Sequence, residues 1–218
     1  TYWLTAVSVL HYITKETSFI YTAQALLFLG LLFISQITKK RWERPELKQL
    51  FLTLLVLTLV FLAIGIALDA YFPSQAAVEP NAELDNVPMG APLHLIIPLG
   101  LGALMLLGAL ITVIVGVTWE KLRLDRAFSL ILLQLTLILP QLAPIPVNAL
   151  GWNPLDYSNA GMLRTGIFVA VFALIAIAAG LFWDARLWLI NAAIFYIPFT
   201  VFYTTLFTNG AGFFTGMV

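Results

Sequence analysis

Gln49-Leu50-Phe51-Leu52-Thr53-Leu54-Leu55-Val56-Leu57-Thr58-Leu59-Val60-Phe61-Leu62-Ala63-Ile64-Gly65-Ile66-Ala67-Leu68-Asp69-Ala70-Tyr71-Phe72 carries no charged side chain before Asp69. About 20 such residues, wound at ~1.5 Å each, match the ~30 Å hydrocarbon core of a bilayer. Lipid offers the backbone no hydrogen-bond partner, so the segment must bond to itself as a helix. The stretch therefore predicts a membrane-crossing helix. Comparable apolar runs lie at 17–38, 93–118, 127–147, 163–183 and 187–207. Thr1–Thr14 is also apolar, but as a helix it covers only about 21 Å. The expected fold is an all-α, polytopic transmembrane bundle of about seven helices, the first one partial, forming a single domain over 1–218. A helix that begins in mid-bilayer, and an end at Gly210–Val218 without a polar tail, read as cuts in a longer chain.

Composition agrees. The chain is 61% hydrophobic and 10% charged, with mean hydropathy +0.96. Soluble domains carry roughly 25% charge, so lipid rather than water is the expected solvent. The net charge of zero gives no electrostatic case for nucleic acid. With no cysteine, disulfides, Cys-ligated zinc, iron–sulfur clusters and c-type haem are excluded. No P-loop, Gly-x-Ser-x-Gly or zincin pattern occurs. No cofactor and no metal are expected.

Orientation follows from Lys and Arg. Lys39, Lys40, Arg41, Arg44 and Lys48 fall in one loop, Lys121, Arg123 and Arg126 in a second, and Arg186 in the turn Asp184-Ala185-Arg186. These alternate onto one side, and only Lys15 and Arg164 fall on the other. The rich side is expected to be cytoplasmic, with Trp42, Trp119, Trp183 and Trp188 at its interface. The first helix then starts at the cytoplasmic end and the chain ends outside. The acidic loop 73–92 also lies outside.

Leu139-Pro140-Gln141-Leu142-Ala143-Pro144-Ile145-Pro146 breaks the fifth span with three prolines, each removing a backbone donor. Gln134 and Gln141 are seven apart, on one face. Two readings stand: a cavity wall open to the outside, or a kinked helix whose glutamines bond to neighbouring helices. Gly166, Ala170, Ala173, Ala176 and Gly180 form a small-residue face on the sixth span, as do Gly100, Gly102 and Gly108 on the fourth. Both are expected to serve close helix packing.

Ionisable groups near membrane depth are the first places to seek chemistry. His11, Lys15, Glu16, Asp69, His94, Asp156 and Arg164 gather at the expected outer ends of helices. Lys15 and Arg164, the only outer basic residues, suit a phosphate or pyrophosphate. They also suit interfacial snorkelling and ion pairing, such as Lys15 with Asp69, the more ordinary role of such residues. His11 and His94 lack a metal-ligand spacing, and Asp69 with Asp156 is a carboxylate pair that no motif singles out. The cytoplasmic Lys/Arg loops read as topology determinants and lipid-headgroup contacts.

Three stretches carry a resemblance: His11-Tyr12-Ile13-Thr14-Lys15-Glu16-Thr17-Ser18-Phe19-Ile20, Gly151-Trp152-Asn153-Pro154-Leu155-Asp156-Tyr157-Ser158, and Phe207-Thr208-Asn209-Gly210-Ala211-Gly212. They resemble the flippase-activity-associated family of bacterial and archaeal multi-spanning proteins. That family is related to the dolichyl-phosphate-mannose–protein mannosyltransferases of the GT-C membrane fold. The chain resembles an interior part of that longer sequence. The resemblance implies glycosyltransferase-like handling of polyprenyl-phosphate-linked sugars at the outer face of a bacterial or archaeal cytoplasmic membrane. Membrane lipid and a polyprenyl-phosphate sugar are the partners it implies. Lys15, Glu16, Asp156 and Arg164 are the candidate substrate-lining residues. The first three match the resembling stretches, and Arg164 comes from the charge pattern. The catalytic acidic residue of such enzymes lies in a first outer loop upstream of this segment, so no catalytic residue is assigned. A different class of function is an accessory transmembrane subunit of a respiratory or photosynthetic complex, docked to other membrane subunits through the small-residue face. A transporter built on the proline-broken span ranks last, for want of mid-bilayer charge.

Overall fold

The computed structural model describes residues 1–14, 18–72, 92–206 and 208. The protein is all-α, with no strand among the described residues. Its helices are α1 (Tyr2–Thr14), α2 (Ser18–Lys39), α3 (Pro45–Tyr71), α4 (Leu93–Val117), α5 (Trp119–Arg123), α6 (Arg126–Ile138), α7 (Pro144–Ala149) and α8 (Asn159–Tyr203). Helices α2, α3, α4 and α8 are long and apolar enough to cross a membrane, and Arg126–Leu142 is a shorter apolar helical stretch. The chain is a membrane protein.

At 45 residues, α8 is longer than a bilayer needs. It breaks at Asp184, whose backbone is extended (φ −157°, ψ 95°). There the Asp184 carboxylate accepts from the Leu187 amide at 2.9 Å and so caps the second half of the helix. The apolar runs 163–183 and 187–207 thus meet at a break in the helix at Asp184. The run 127–147 is not one helix. α6 stops at Ile138, a 3-10 turn follows at Leu139–Leu142, and α7 is a separate short helix. Pro140 and Pro144 each sit at or next to the start of a new element, where a missing amide does least harm.

Two compact units emerge. The first comprises 1–37, 123–147 and 154–218. Its core is Val9 and Tyr12 of α1, Leu133, Leu137 and Ile138 of α6, and Trp188, Phe195 and Phe199 of the second half of α8. Polar side chains tie the same helices together. Thr5 donates to the Asn191 side chain at 2.7 Å, and Gln134 donates to Ser8 at 3.2 Å. Trp188 Nε1 donates to Thr136 at 3.1 Å, and Tyr203 donates to the Tyr12 carbonyl at 2.8 Å. Residue numbers rise together along α1 and the second half of α8 (5 with 191, 12 with 203), so the two run parallel.

The second unit comprises 38–122 and 148–153. Here α3 and α4 form an antiparallel hairpin with glycines at the seam. A Cβ on Gly65 would touch Pro98 and Leu99, one on Gly102 would touch Phe61, and one on Gly108 would touch Leu54. Gly116 lies against the Trp42 ring and leaves no room for a methyl.

The small-residue expectation therefore holds only in part. Gly102 and Gly108 pack as expected, but Gly100 faces open space. On α8, Gly180 and Ala176 are buried, whereas Gly166 meets nothing within 4 Å and Ala170 is exposed. Three of the tryptophans expected at the cytoplasmic interface are packed into protein. Trp42, Trp183 and Trp188 are 6%, 4% and 7% exposed. They fill protein: Trp42 covers Gly116, Trp188 covers Gly180, and Trp183 lies tilted against Phe128. The Trp188 indole N–H finds its acceptor inside the protein, in Thr136.

Candidate functional site

Of the four candidate residues, Lys15 and Glu16 lie outside the described residues. Asp156 and Arg164 both belong to the first unit, at the entry to α8. The entry is assembled from side chain-to-backbone bonds. The Asp156 carboxylate accepts from the Ser158 amide at 2.9 Å. Ser158, the N-cap of α8, accepts from the Gly161 amide at 3.2 Å. Both bonds follow from the residue types: short oxygen-bearing side chains satisfy the amides that a helix start leaves unpaired. Gly161 completes the turn. A Cβ there would collide with the Asp156 carbonyl and carboxyl groups, so the close approach requires glycine.

The electrostatics follow from this geometry. The Asp156 carboxyl is held below its ordinary pKa, first by the Ser158 side-chain and backbone hydrogen bonds and to a smaller extent by the Arg164 guanidinium. Desolvation opposes these but does not win. Asp156 is thus an anion at neutral pH, and Arg164 is exposed near it. A carboxylate can accept from sugar hydroxyls, and a guanidinium can donate to phosphate oxygens in a fork.

The remaining candidates separate. His11 stacks on Tyr21 at 4.6 Å, an ordinary packing contact. His94 lies near Phe72, with ring centroids 6.0 Å apart. His11 and Asp156 belong to one unit, His94 and Asp69 to the other, and Asp69 is exposed on α3. No cluster of three or more His, Asp or Glu able to hold a metal occurs among the described residues. Of the glutamine pair, Gln134 bonds to Ser8 of a neighbouring helix, the second of the two sequence readings. Gln141 does not follow it. Its residue is 3% exposed, and neither carboxamide atom has a hydrogen-bond partner among the described residues.

The sequence reading missed Thr5, Asn191, Tyr196 and Tyr203. Asn191 and Thr5 are fully buried and bonded to each other. Tyr196 donates to the Leu137 carbonyl at 2.6 Å, in the last turn before the prolines. The signal was present: a lone amide inside an apolar span must find a partner in a neighbouring helix. No family model matches the chain, and comparison with curated proteins and with solved structures likewise finds no match.

Proposed function

We propose that this chain is a membrane domain that engages a polyprenyl-phosphate-linked sugar at the outer membrane face, with Arg164 meeting the phosphate and Asp156 the sugar hydroxyls. The observation that supports this reading is the closed entry of α8, where the Asp156 carboxylate is held by the Ser158 amide and the exposed Arg164 follows in the next turns of the helix. Asp156 and Ser158 of that entry lie within one of the stretches that resemble the flippase-activity-associated family, and Arg164 lies outside it. Lys15 and Glu16 belong to the same proposal through the first resembling stretch. The chemistry suits the ligand. A phosphodiester needs a fixed cation, and a sugar needs an acceptor that stays ionised. An apolar carrier tail is solvated by the same lipid that solvates the helices.

The test is binding of a short-chain polyprenyl-phosphate hexose to the detergent-purified full-length protein, read by native mass spectrometry. Arg164→Gln is expected to weaken binding about tenfold, the loss of one charge-assisted contact worth ~1.4 kcal/mol. Asp156→Asn should weaken the sugar-bearing ligand but leave the bare polyprenyl phosphate unchanged. Equal binding by wild type and Arg164→Gln overturns the reading. So does purification in fixed ratio with cofactor-bearing subunits and no affinity for the lipid-sugar; the accessory-subunit role then takes its place.

A further inference from the structure

The second unit holds a recess of about 420 Å³ lined by Arg41, Trp42, Glu43, Pro45 and Lys121. We infer that it is a binding site for the headgroup of an anionic phospholipid, with Arg41 and Lys121 holding the phosphodiester.

Its position comes from the elements around it. Pro45 opens α3 and Val117 closes α4, two of the helices able to cross a membrane. The recess therefore sits where apolar helix gives way to polar loop, the level of lipid headgroups.

The loop is also fixed in place. The Glu43 amide donates to the Gly116 carbonyl at 3.0 Å, bonding the loop to the last turn of α4. Trp42 is inserted beside it, against Gly116 and near Phe51 at 5.6 Å. After α4, Thr118 adopts φ 74°, a left-handed conformation rare for a β-branched residue, and turns the chain into α5. That turn brings Lys121 within 3.1 Å of the Glu43 carboxylate.

The charge balance selects the ligand. Arg41 and Lys121 are cationic and Glu43 is anionic, leaving one net positive charge. Arg41 has no ion-pair partner among the described residues, and the Lys121–Glu43 pair is about half exposed, so it exchanges readily with another anion. One net positive charge complements a singly charged phosphodiester such as that of phosphatidylglycerol. The volume lies within the range of small-ligand pockets.

The experiment is lipid titration of the delipidated full-length protein in mild detergent, read by native mass spectrometry with phosphatidylglycerol and phosphatidylcholine. One phosphatidylglycerol is expected to remain bound in preference to phosphatidylcholine. Arg41→Gln and Lys121→Gln should each weaken it about fivefold, the effect of one basic residue at a membrane surface. Arg44→Gln, in the same loop but outside the recess, should leave it unchanged. Glu43→Gln should strengthen it by releasing Lys121, a gain that misfolding cannot imitate. The proposal is overturned by equal binding of the two lipids, by equal loss in Arg44→Gln and Arg41→Gln, or by weaker binding in Glu43→Gln. Complete displacement by millimolar inorganic phosphate would make the recess a free-anion site and overturn the lipid assignment.

Discussion

At Gly161 the missing side chain matters more than any side chain nearby, because Asp156 occupies the space where one would begin. Gly161→Ala must open the Asp156–Ser158 turn or shift the first turn of α8. Overpacking of this kind costs about 1–3 kcal/mol, seen as a lower unfolding midpoint in detergent. Gly166→Ala, one turn further on and facing open space, should leave the midpoint unchanged. The same turn responds to acid with a definite sign. A carboxylate whose pKa is lowered on folding stabilises above its unfolded pKa, and that stabilisation is lost as pH falls through the lowered value. The amide signals of Ser158 and Gly161, followed by NMR, should therefore shift at a pH below the ordinary carboxylate range. Asp156→Asn should abolish that step. Gln141 gives the opposite kind of prediction. Its carboxamide is buried without a partner among the described residues, and an unsatisfied polar group costs about 1–3 kcal/mol. Gln141→Leu should raise the unfolding midpoint; a fall would mean that a polar group from elsewhere pairs with Gln141.

At the scale of elements, the break in α8 rests on few atoms. The Asp184 cap and the fit of Trp188 over Gly180 both operate at this one turn. Asp184→Ala removes the cap and should cost about 1 kcal/mol, whereas Asp184→Asn keeps an acceptor and should cost less. Comparing their unfolding midpoints separates the hydrogen bond from the charge. This break was legible in the sequence because Asp184 and Arg186 interrupt an apolar run at bilayer length. The proline break was legible too, although its form was not. Three prolines say that a helix cannot continue, but not that a 3-10 turn and a short helix replace it. The packing of the tryptophans was not legible, for a physical reason. An indole is amphipathic and suits either a headgroup or a cleft over glycine, and the choice depends on glycines far away in sequence, such as Gly116 for Trp42. What the sequence makes legible is local. Asp156, Ser158 and Gly161 lie within one turn of each other, whereas the pairing of Thr5 with Asn191 spans nearly the whole chain.

For the whole molecule, the decisive quantity is the number of membrane crossings. Among the described residues, length and apolarity license four helices, whereas the charge pattern expects α8 to cross twice about its break at Asp184 and the shorter Arg126–Leu142 stretch to cross once. The alternative topologies place loops on different sides. If α8 turns back at Asp184, Arg186 and Arg44 share a side and Tyr157 lies opposite. If α8 crosses without returning, Arg186 lies apart from Arg44. The chain contains no cysteine, so single cysteines give labelling without background. Arg44, Tyr157 and Arg186 are exposed, so replacement by cysteine buries nothing. In sealed right-side-out vesicles, a membrane-impermeant maleimide should label Tyr157→Cys at once. Arg44→Cys and Arg186→Cys should react only after the vesicles are opened. Nine of the eleven Lys and Arg would then lie inside, the asymmetry that fixes orientation during insertion. Labelling of Arg186→Cys from outside would instead make α8 a single long crossing and remove Arg164 from the outer face. The proposed lipid-sugar contact would fall with it, while the recess at Arg41 and Lys121 would stand, because its residues lie within the other unit.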